Sequence, residues 1–349
     1  MEPQFKVTVI VPCYNVSLQL DRSMKALEAQ TIGINNLQII LVNDCSTDAT
    51  LGKMLQWERK YPDNIMVIPL EKNVKQGAAR NIAIEYAVGE YIGFMDADDW
   101  VEPTEFEEAY TKAKEFNADI VSFLWKPFYD EKQLWEPHDL AGKSQDLFFQ
   151  VKDYNSRKYM FVNAPMMRGC WDKIFRTEFV KKGHYKFAEG VYDEESLFTM
   201  PAFMEAKRLY VLDRNLYWYF QNPVSTTFHL FTDEHQDDNC KTWLQVIQKF
   251  KEDGVFTKNY SLIEWVFFTN YFRITFTGNV PKGHIYNAET ISAMKETVLR
   301  MFPGTLKNEF LNNSPSNLEA LELFNEEVTD DNYIDYNKKW FDFYNKYGF

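Results

Sequence analysis

The residues with the clearest chemical potential are Asp96, Asp98 and Asp99. They close the stretch Gly89-Glu90-Tyr91-Ile92-Gly93-Phe94-Met95-Asp96-Ala97-Asp98-Asp99-Trp100. An apolar run that stops at three carboxylates reads as a buried strand delivering acids to its carboxyl end. Two Asp side chains with one residue between them suit a hard divalent cation that also carries phosphate oxygens. The alternative is a solvated acidic turn, and this stretch alone does not separate the two. A second acidic cluster, Asp193-Glu194-Glu195, precedes the apolar Leu197-Phe198, at the expected start of a helix around Glu194. Acids at a helix start also complement the helix dipole without any chemistry.

What these acids can do depends on the elements that carry them. Residues 5–11 form a β-rich apolar run that Pro12 ends. Cys13-Tyr14-Asn15 is then a loop, and Ser17 is the expected cap of a helix to about residue 29. Residues 37–42 form a second strand, closed by Asn43-Asp44-Cys45-Ser46-Thr47-Asp48. Small capping residues there open a helix through Leu51, Met54, Leu55 and Trp57. Residues 65–68 form a third strand, and a helix begins near Gly77 and ends near Gly89. The acidic stretch is the fourth strand. A helix over about 103–116 and a strand over 118–125 follow.

This alternation predicts an α/β fold with a mostly parallel sheet and helices on both faces. Ligands of such sheets bind outside the carboxyl ends of the strands. Asn15, Asp44 and Asp96 all follow strand ends, so they should gather on one edge. That convergence favours the metal reading of Asp96 and Asp98. Residues 129–159 are irregular, with Pro137 and Gly142, and read as an extended segment over a site. From about Thr232 the period is helical, with Trp243, Val246, Ile247 and Phe250 on one stripe and aromatic residues over 263–276. We therefore divide the chain into an α/β domain, 1–231, and a helical C-terminal domain, 232–349. The aromatic stripe around Trp265, Phe267, Phe268, Tyr271 and Phe272 reads as core packing, with homo-oligomer formation through these helices as the second choice.

The net charge of −13 lacks the basic balance of a phosphate-backbone binder, so nucleic acid is not an expected partner. The four cysteines, Cys13, Cys45, Cys170 and Cys240, are widely spaced and form no CxxC pair, which argues against a zinc site and a disulfide scaffold. Reduced thiols in a cytoplasmic protein are the simplest reading. The N-terminal residues show no signal-peptide pattern, and no apolar run approaches the ~20 residues that span a bilayer. A peripheral position at the inner face of the plasma membrane is compatible with this.

Four motifs occur in one order: Val9-Ile10-Val11-Pro12-Cys13-Tyr14-Asn15, Val42-Asn43-Asp44-Cys45-Ser46-Thr47-Asp48, Gly77-Ala78-Ala79-Arg80-Asn81 and Met95-Asp96-Ala97-Asp98-Asp99. Their order and spacing resemble inverting family 2 glycosyltransferases of the Rossmann-like GT-A fold, over roughly residues 5–230. Members of this size often build bacterial surface polysaccharides or decorate teichoic acids. The resemblance implies a nucleotide site made by Pro12, Tyr14, Asn15, Asp44, Arg80, Asp96 and Ala97. Asp44 resembles the carboxylate that accepts the uracil N3–H, although the family usually has two acids where this chain has Asn43 first. Arg80, one turn into a helix, suits a diphosphate or a salt bridge to a neighbouring acid. Asp96 and Asp98 resemble the Asp-x-Asp pair that holds Mn²⁺ or Mg²⁺, and His229 is a further metal candidate.

Alignment on Leu197-Phe198 places Glu195 where the family has the Asp that serves as catalytic base. Glu reaches one methylene further, and Glu194 and Asp193 are the alternatives. Trp171 and Lys173 resemble a block lining the acceptor side. Tyr217-Trp218-Tyr219-Phe220 through Ser225-Thr226-Thr227 resembles a closing segment whose hydroxyls approach the phosphates. The implied reaction moves a sugar from a UDP-sugar to a hydroxyl of a glycan, lipid-linked or polymer acceptor, with inversion and metal assistance. A non-catalytic carbohydrate-binding or assembly module is the main competitor, given the Glu at the base position. A nucleotidyltransferase, which shares the sheet and the metal acids, is the further alternative, although Pro12-Cys13-Tyr14-Asn15 is not its usual Gly-rich basic loop. An Asp-x-Asp phosphatase needs its nucleophile near the chain start.

Overall fold

A computed structural model of the chain describes residues 4–128, 145–164, 168–191, 193–220, 233–304 and 307–347. The chain divides into two compact units, Met1–Pro223 and Val224–Phe349. In chain order the first unit begins with β1 (Phe5–Cys13), α1 (Leu20–Glu28), β2 (Leu37–Asn43), α2 (Thr50–Lys60), β3 (Ile65–Pro69), α3 (Lys75–Tyr86) and β4 (Gly89–Phe94). It continues with β5 (Trp100–Val101), α4 (Glu105–Glu115), β6 (Ile120–Phe128), β7 (Leu147–Gln150) and α5 (Tyr154–Asn163). It ends with β8 (Lys173–Arg176), α6 (Thr177–Gly183), α7 (Glu195–Glu205) and β9 (Arg208–Phe220).

The strands form one nine-stranded sheet in the order β3-β2-β1-β4-β8-β6-β9-β5, with β7 beside β9. β1 is parallel to β2 and β4, and β2 is parallel to β3. Val9, Ile10, Ile39 and Ile40 are fully buried although they alternate in side, because both faces of this half are covered. The parallel run stops at β4. β8 lies between β4 and β6 and runs antiparallel to both, and β5 and β7 run antiparallel to β9. The sheet is therefore mixed, and β6 is not the next neighbour of β4. Periodicity shows that a strand exists. It does not show that the four-residue β8, far later in the chain, takes the intervening place.

Two local expectations change. Ser17 does not cap a helix; its backbone N–H donates to Asp48 Oδ2 at 3.1 Å, and α1 begins three residues later without a side-chain cap. The irregular reading of 129–159 fails over its second part, where β7 and α5 form. Asp153 accepts from the Ser156 N–H at 2.8 Å and the Ser156 hydroxyl lies 2.9 Å from the Asp153 N–H, a reciprocal cap. The Asp-x-x-Ser spacing was the signal for it. Residues 129–144 lie outside the described residues.

The second unit contains α8 (Asp233–Glu252), α9 (Tyr260–Phe267), a π-helical turn (Phe268–Arg273), α10 (Ile274–Asn279), α11 (Ala288–Met301), α12 (Pro315–Asn325) and α13 (Tyr333–Tyr347). Phe267, Phe268, Tyr271 and Phe272 from the aromatic stripe are buried. Phe267 stacks on Tyr271 at 4.7 Å, and Trp340 stacks on Phe276 at 5.0 Å. Trp265 is half-buried and stacks on Phe310 at 5.4 Å. The stripe is core, as its period suggests.

Candidate active site

The loops after β1 and β2 are laced together. Asn15 and Cys45 adopt left-handed backbone conformations, with φ of 52° and 59°. These turn the chain sharply where each strand ends. The Asn15 side-chain carbonyl accepts from the Thr47 N–H at 2.8 Å, and the Asn15 N–H donates to Ser46 Oγ at 3.0 Å. Asp44 is buried, and its Oδ1 accepts from the Val74 N–H at 2.7 Å, just before α3. It does not cap α2; Asp48 takes the Thr50 N–H at 2.9 Å instead. Pro12 lies in β1 beside these loops, and Tyr14 is half-exposed.

Arg80 is buried at 3% exposure and bridges two acids. Nη2 donates to Asp96 Oδ1 at 2.7 Å and Nη1 to Glu194 Oε1 at 2.5 Å. Its guanidinium lies 5.3 Å over the Phe187 ring. Of the two roles the sequence left open for Arg80, the structure displays the salt bridge. Close approach of α3 to residues 188–194 requires Gly77. A Cβ there would stand 2.3 Å from Ala188 O and 2.9 Å from Glu194 Cβ. Gly77→Ala is therefore expected to destabilise the first unit by about 1–3 kcal/mol. Urea denaturation checks this, and an unchanged midpoint would contradict it.

The three acids after β4 take three different roles. Asp96 is partly open, at 30% side-chain exposure, and its backbone N–H donates to the Tyr217 hydroxyl at 3.1 Å. Burial, with the neighbouring Asp96 charge, pushes the Asp98 carboxyl up to about 6. Ala97 between them is buried. Asp99 is also buried: it accepts from the Tyr217 hydroxyl at 2.5 Å and from the Phe220 N–H at 2.7 Å. It ties the acidic turn to the end of β9 and does not cap α4. On the other side, Arg22 of α1 donates to the Asp98 carbonyl at 2.5 Å. Sequence reading missed Arg22 and placed Tyr217 only in a closing segment, because nothing local marks a contact with the acidic turn across such separations.

Among the described residues no group of three or more His, Cys, Asp or Glu side chains could hold a metal ion by itself. Asp96 and Asp98 are two hard oxygen donors. Such a set fits Mg²⁺ or Mn²⁺, which keep waters and substrate phosphates in their remaining positions. The mutual repulsion that helps hold Asp98 up is what a bound cation relieves. His229 lies outside the described residues, as do Ser225, Thr226 and Thr227.

The second cluster also separates by role. Asp193 pairs with Arg168 at 3.2 Å. Glu194 is buried against Arg80 and accepts from Gln76 Nε2 at 3.3 Å. Burial pushes its carboxyl up, with Glu195 adding, while the direct ion pair with the permanently charged Arg80 opposes this and keeps it ionised. Glu195, the first residue of α7, is half-buried and accepts the Cys170 N–H at 2.8 Å. Burial raises its carboxyl above the ordinary range, with Arg80 opposing and Asp96 adding.

Trp171 follows Cys170 and is half-buried. It packs on Tyr217 at 4.7 Å and Tyr219 at 5.5 Å, with Trp125 edge-on at 5.3 Å. Lys173 corrects its expectation. It is fully buried, paired with Asp172, and donates to Gly169 O at 2.7 Å. Its ammonium braces the turn before β8 and presents nothing to an acceptor.

The sequence profile described as Glycosyl transferase family 2 matches residues 8–179, which run from within β1 to past β8 and hold all four motifs. The similarity to glycosyl transferase family 2 thus covers residues 8–179, just under half of the chain. The chain is 30% identical over 226 residues to the uncharacterized glycosyltransferase EpsJ of Bacillus subtilis, covering 63% of this chain and 62% of that protein. It is 28% identical over 282 residues to the cholesterol galactosyltransferase of Borreliella burgdorferi, covering 78% and 75%. It is 30% identical over 220 residues to TarS of Staphylococcus aureus, a poly(ribitol-phosphate) β-N-acetylglucosaminyltransferase, covering 61% and 35%. The chain thus spans less than two thirds of the length of EpsJ and TarS. The crystal structure of TarS 1–349 in complex with UDP-GlcNAc shares the fold, with a TM-score of 0.60 at 21% identity, over 97% of this chain and 92% of that one.

Proposed function

We propose that the chain is an inverting glycosyltransferase that moves a sugar from a UDP-sugar to an acceptor hydroxyl, with residues 1–231 as the catalytic domain and 232–349 as a helical C-terminal domain. The observation that carries this reading is the division of labour among the acids. Asp193 and Glu194 are each neutralised by an arginine, whereas Glu195 faces a backbone N–H of Cys170. A half-buried carboxylate with a raised pKa, held by a backbone N–H in place of a direct salt bridge among the described residues, is suited to accept a proton.

Pro12, Tyr14, Asn15 and Asp44 hold the nucleoside at the carboxyl ends of β1 and β2, with Asp44 accepting from the uracil. Asp96 and Asp98 hold the divalent cation, which when bound neutralises charge on the departing diphosphate. Glu195 takes the proton from the acceptor hydroxyl as it attacks the anomeric carbon from the opposite face. That single displacement inverts the centre and requires no enzyme nucleophile. Trp171 offers a ring face to the acceptor. TarS is named for a polymer acceptor and the Borreliella enzyme for a sterol, so a polymer or lipid-linked hydroxyl is the acceptor class we favour. No helix among the described residues is long and apolar enough to cross a membrane. We place the reaction in the cytoplasm, at the inner face of the plasma membrane.

Turnover of UDP-GlcNAc and UDP-galactose, with Mn²⁺ and with EDTA, tests the proposal. Sugar release is expected with Mn²⁺ and at least ~100-fold less with EDTA, consistent with the several kcal/mol that a metal supplies to the leaving group. Binding of UDP without turnover of any donor would instead favour the assembly-module reading.

A further inference from the structure

The guanidinium of Arg80 joins acids from two distant parts of the chain, Asp96 at 2.7 Å and Glu194 at 2.5 Å. Both of its terminal nitrogens are held. The side chain is almost fully buried, Phe187 lies beneath it, and Gly77 seats its helix against residue 188. Of its two acids, Asp96 is the open one, while Glu194 is sealed and also held by Gln76. A fixed cation therefore already occupies one oxygen of a carboxylate proposed to bind metal.

We infer that Arg80 is a resident counter-cation of Asp96 that weakens metal binding by the free protein, so that the divalent cation loads together with the nucleotide diphosphate. This rests on the metal reading of Asp96 and Asp98 given above. A positive charge hydrogen-bonded to a ligand oxygen opposes a second cation by direct Coulomb repulsion. A diphosphate brings its own negative charge and oxygen donors, and offsets that repulsion. Glu194 sets how strongly Arg80 grips Asp96, because one guanidinium is divided between the two. Removing the charge of Glu194 concentrates Arg80 on Asp96, and removing Arg80 frees Asp96 altogether. The two substitutions must then move metal affinity in opposite directions.

The test is titration of Mn²⁺ into the full chain, followed by the electron paramagnetic resonance signal of free Mn²⁺, with and without UDP. The unsubstituted chain should bind Mn²⁺ at least about tenfold more tightly with UDP than without. Arg80→Met should tighten UDP-free Mn²⁺ binding by about tenfold or more, and Glu194→Gln should weaken it. General loss of structure would weaken both, so it cannot produce the opposed pattern. Equal or weaker UDP-free binding in Arg80→Met with a native circular dichroism spectrum overturns the inference. If Arg80→Met does not fold, Glu194→Gln with a native circular dichroism spectrum decides alone: weaker binding supports the inference, and unchanged or tighter binding overturns it. Absence of Mn²⁺ binding to any form, even with UDP, overturns the metal reading and this inference together.

Discussion

Glu195→Gln lowers turnover by about 10²–10⁴-fold, the range for removing a positioned general base, and leaves UDP affinity within about twofold. Gln preserves the side-chain oxygen that accepts from the Cys170 N–H, so the start of α7 should keep its place. What disappears is the ability to take a proton. The same residue sets the pH profile. Burial raises the Glu195 carboxyl above the ordinary carboxylate range, against Arg80 and with Asp96. The base must be ionised to act, so turnover falls as pH drops through that raised value and is full above it. The acid limb should therefore lie above the ~4.3 of a free Glu side chain. Measurement of kcat against pH with a saturating UDP-sugar donor checks both points. Full activity in Glu195→Gln would move the base to another residue, and Asp193 would be next because its partner Arg168 is partly exposed.

The second large effect concerns stability. Trp340→Ala is expected to destabilise the C-terminal unit by about 3–5 kcal/mol, the usual cost of truncating a buried aromatic to Ala. Trp340 is fully buried and touches Phe276 at 5.0 Å, Phe343 at 5.2 Å and Phe272 at 6.0 Å. Its loss leaves a hole that these rings cannot close by small shifts. The adjacent Phe341 is 41% exposed. Phe341→Ala should stay within about 0.5 kcal/mol, as surface substitutions do. Urea denaturation of both variants makes the comparison, and similar midpoints would mean that the two residues are not divided between core and surface.

The acids, their order and their convergence on one sheet edge were legible in the sequence, because strand period and abrupt polarity changes are local signals. Asn15, Asp44 and Asp96 do follow strand ends as read. Lys173 misled, since the resemblance of its block placed it on the acceptor side while Asp172 beside it neutralises it in the interior. The ties that give the site its geometry were not legible. Arg80 to Glu194, Asp99 to Tyr217 and Glu195 to Cys170 each join residues far apart in the chain. Such pairings are fixed by topology, and the topology turns on where β8 inserts.

That insertion has a consequence for how such a protein can diversify. β8 meets β4 through three registered pairs, Tyr91 with Arg176, Ile92 with Phe175 and Gly93 with Ile174. Because it runs against the parallel strands, the residues just before it, Cys170 and Trp171, arrive at the same edge as the residues just after β4. The sheet is thus sewn from two patches along a short seam. On one side lie the registers that carry Asn15, Asp44 and Asp96; on the other lie Cys170 and Trp171, which stand outside the registers of the parallel strands. Under the proposed function, a lineage that changes the second patch would change how the acceptor is received while the first keeps every stitch.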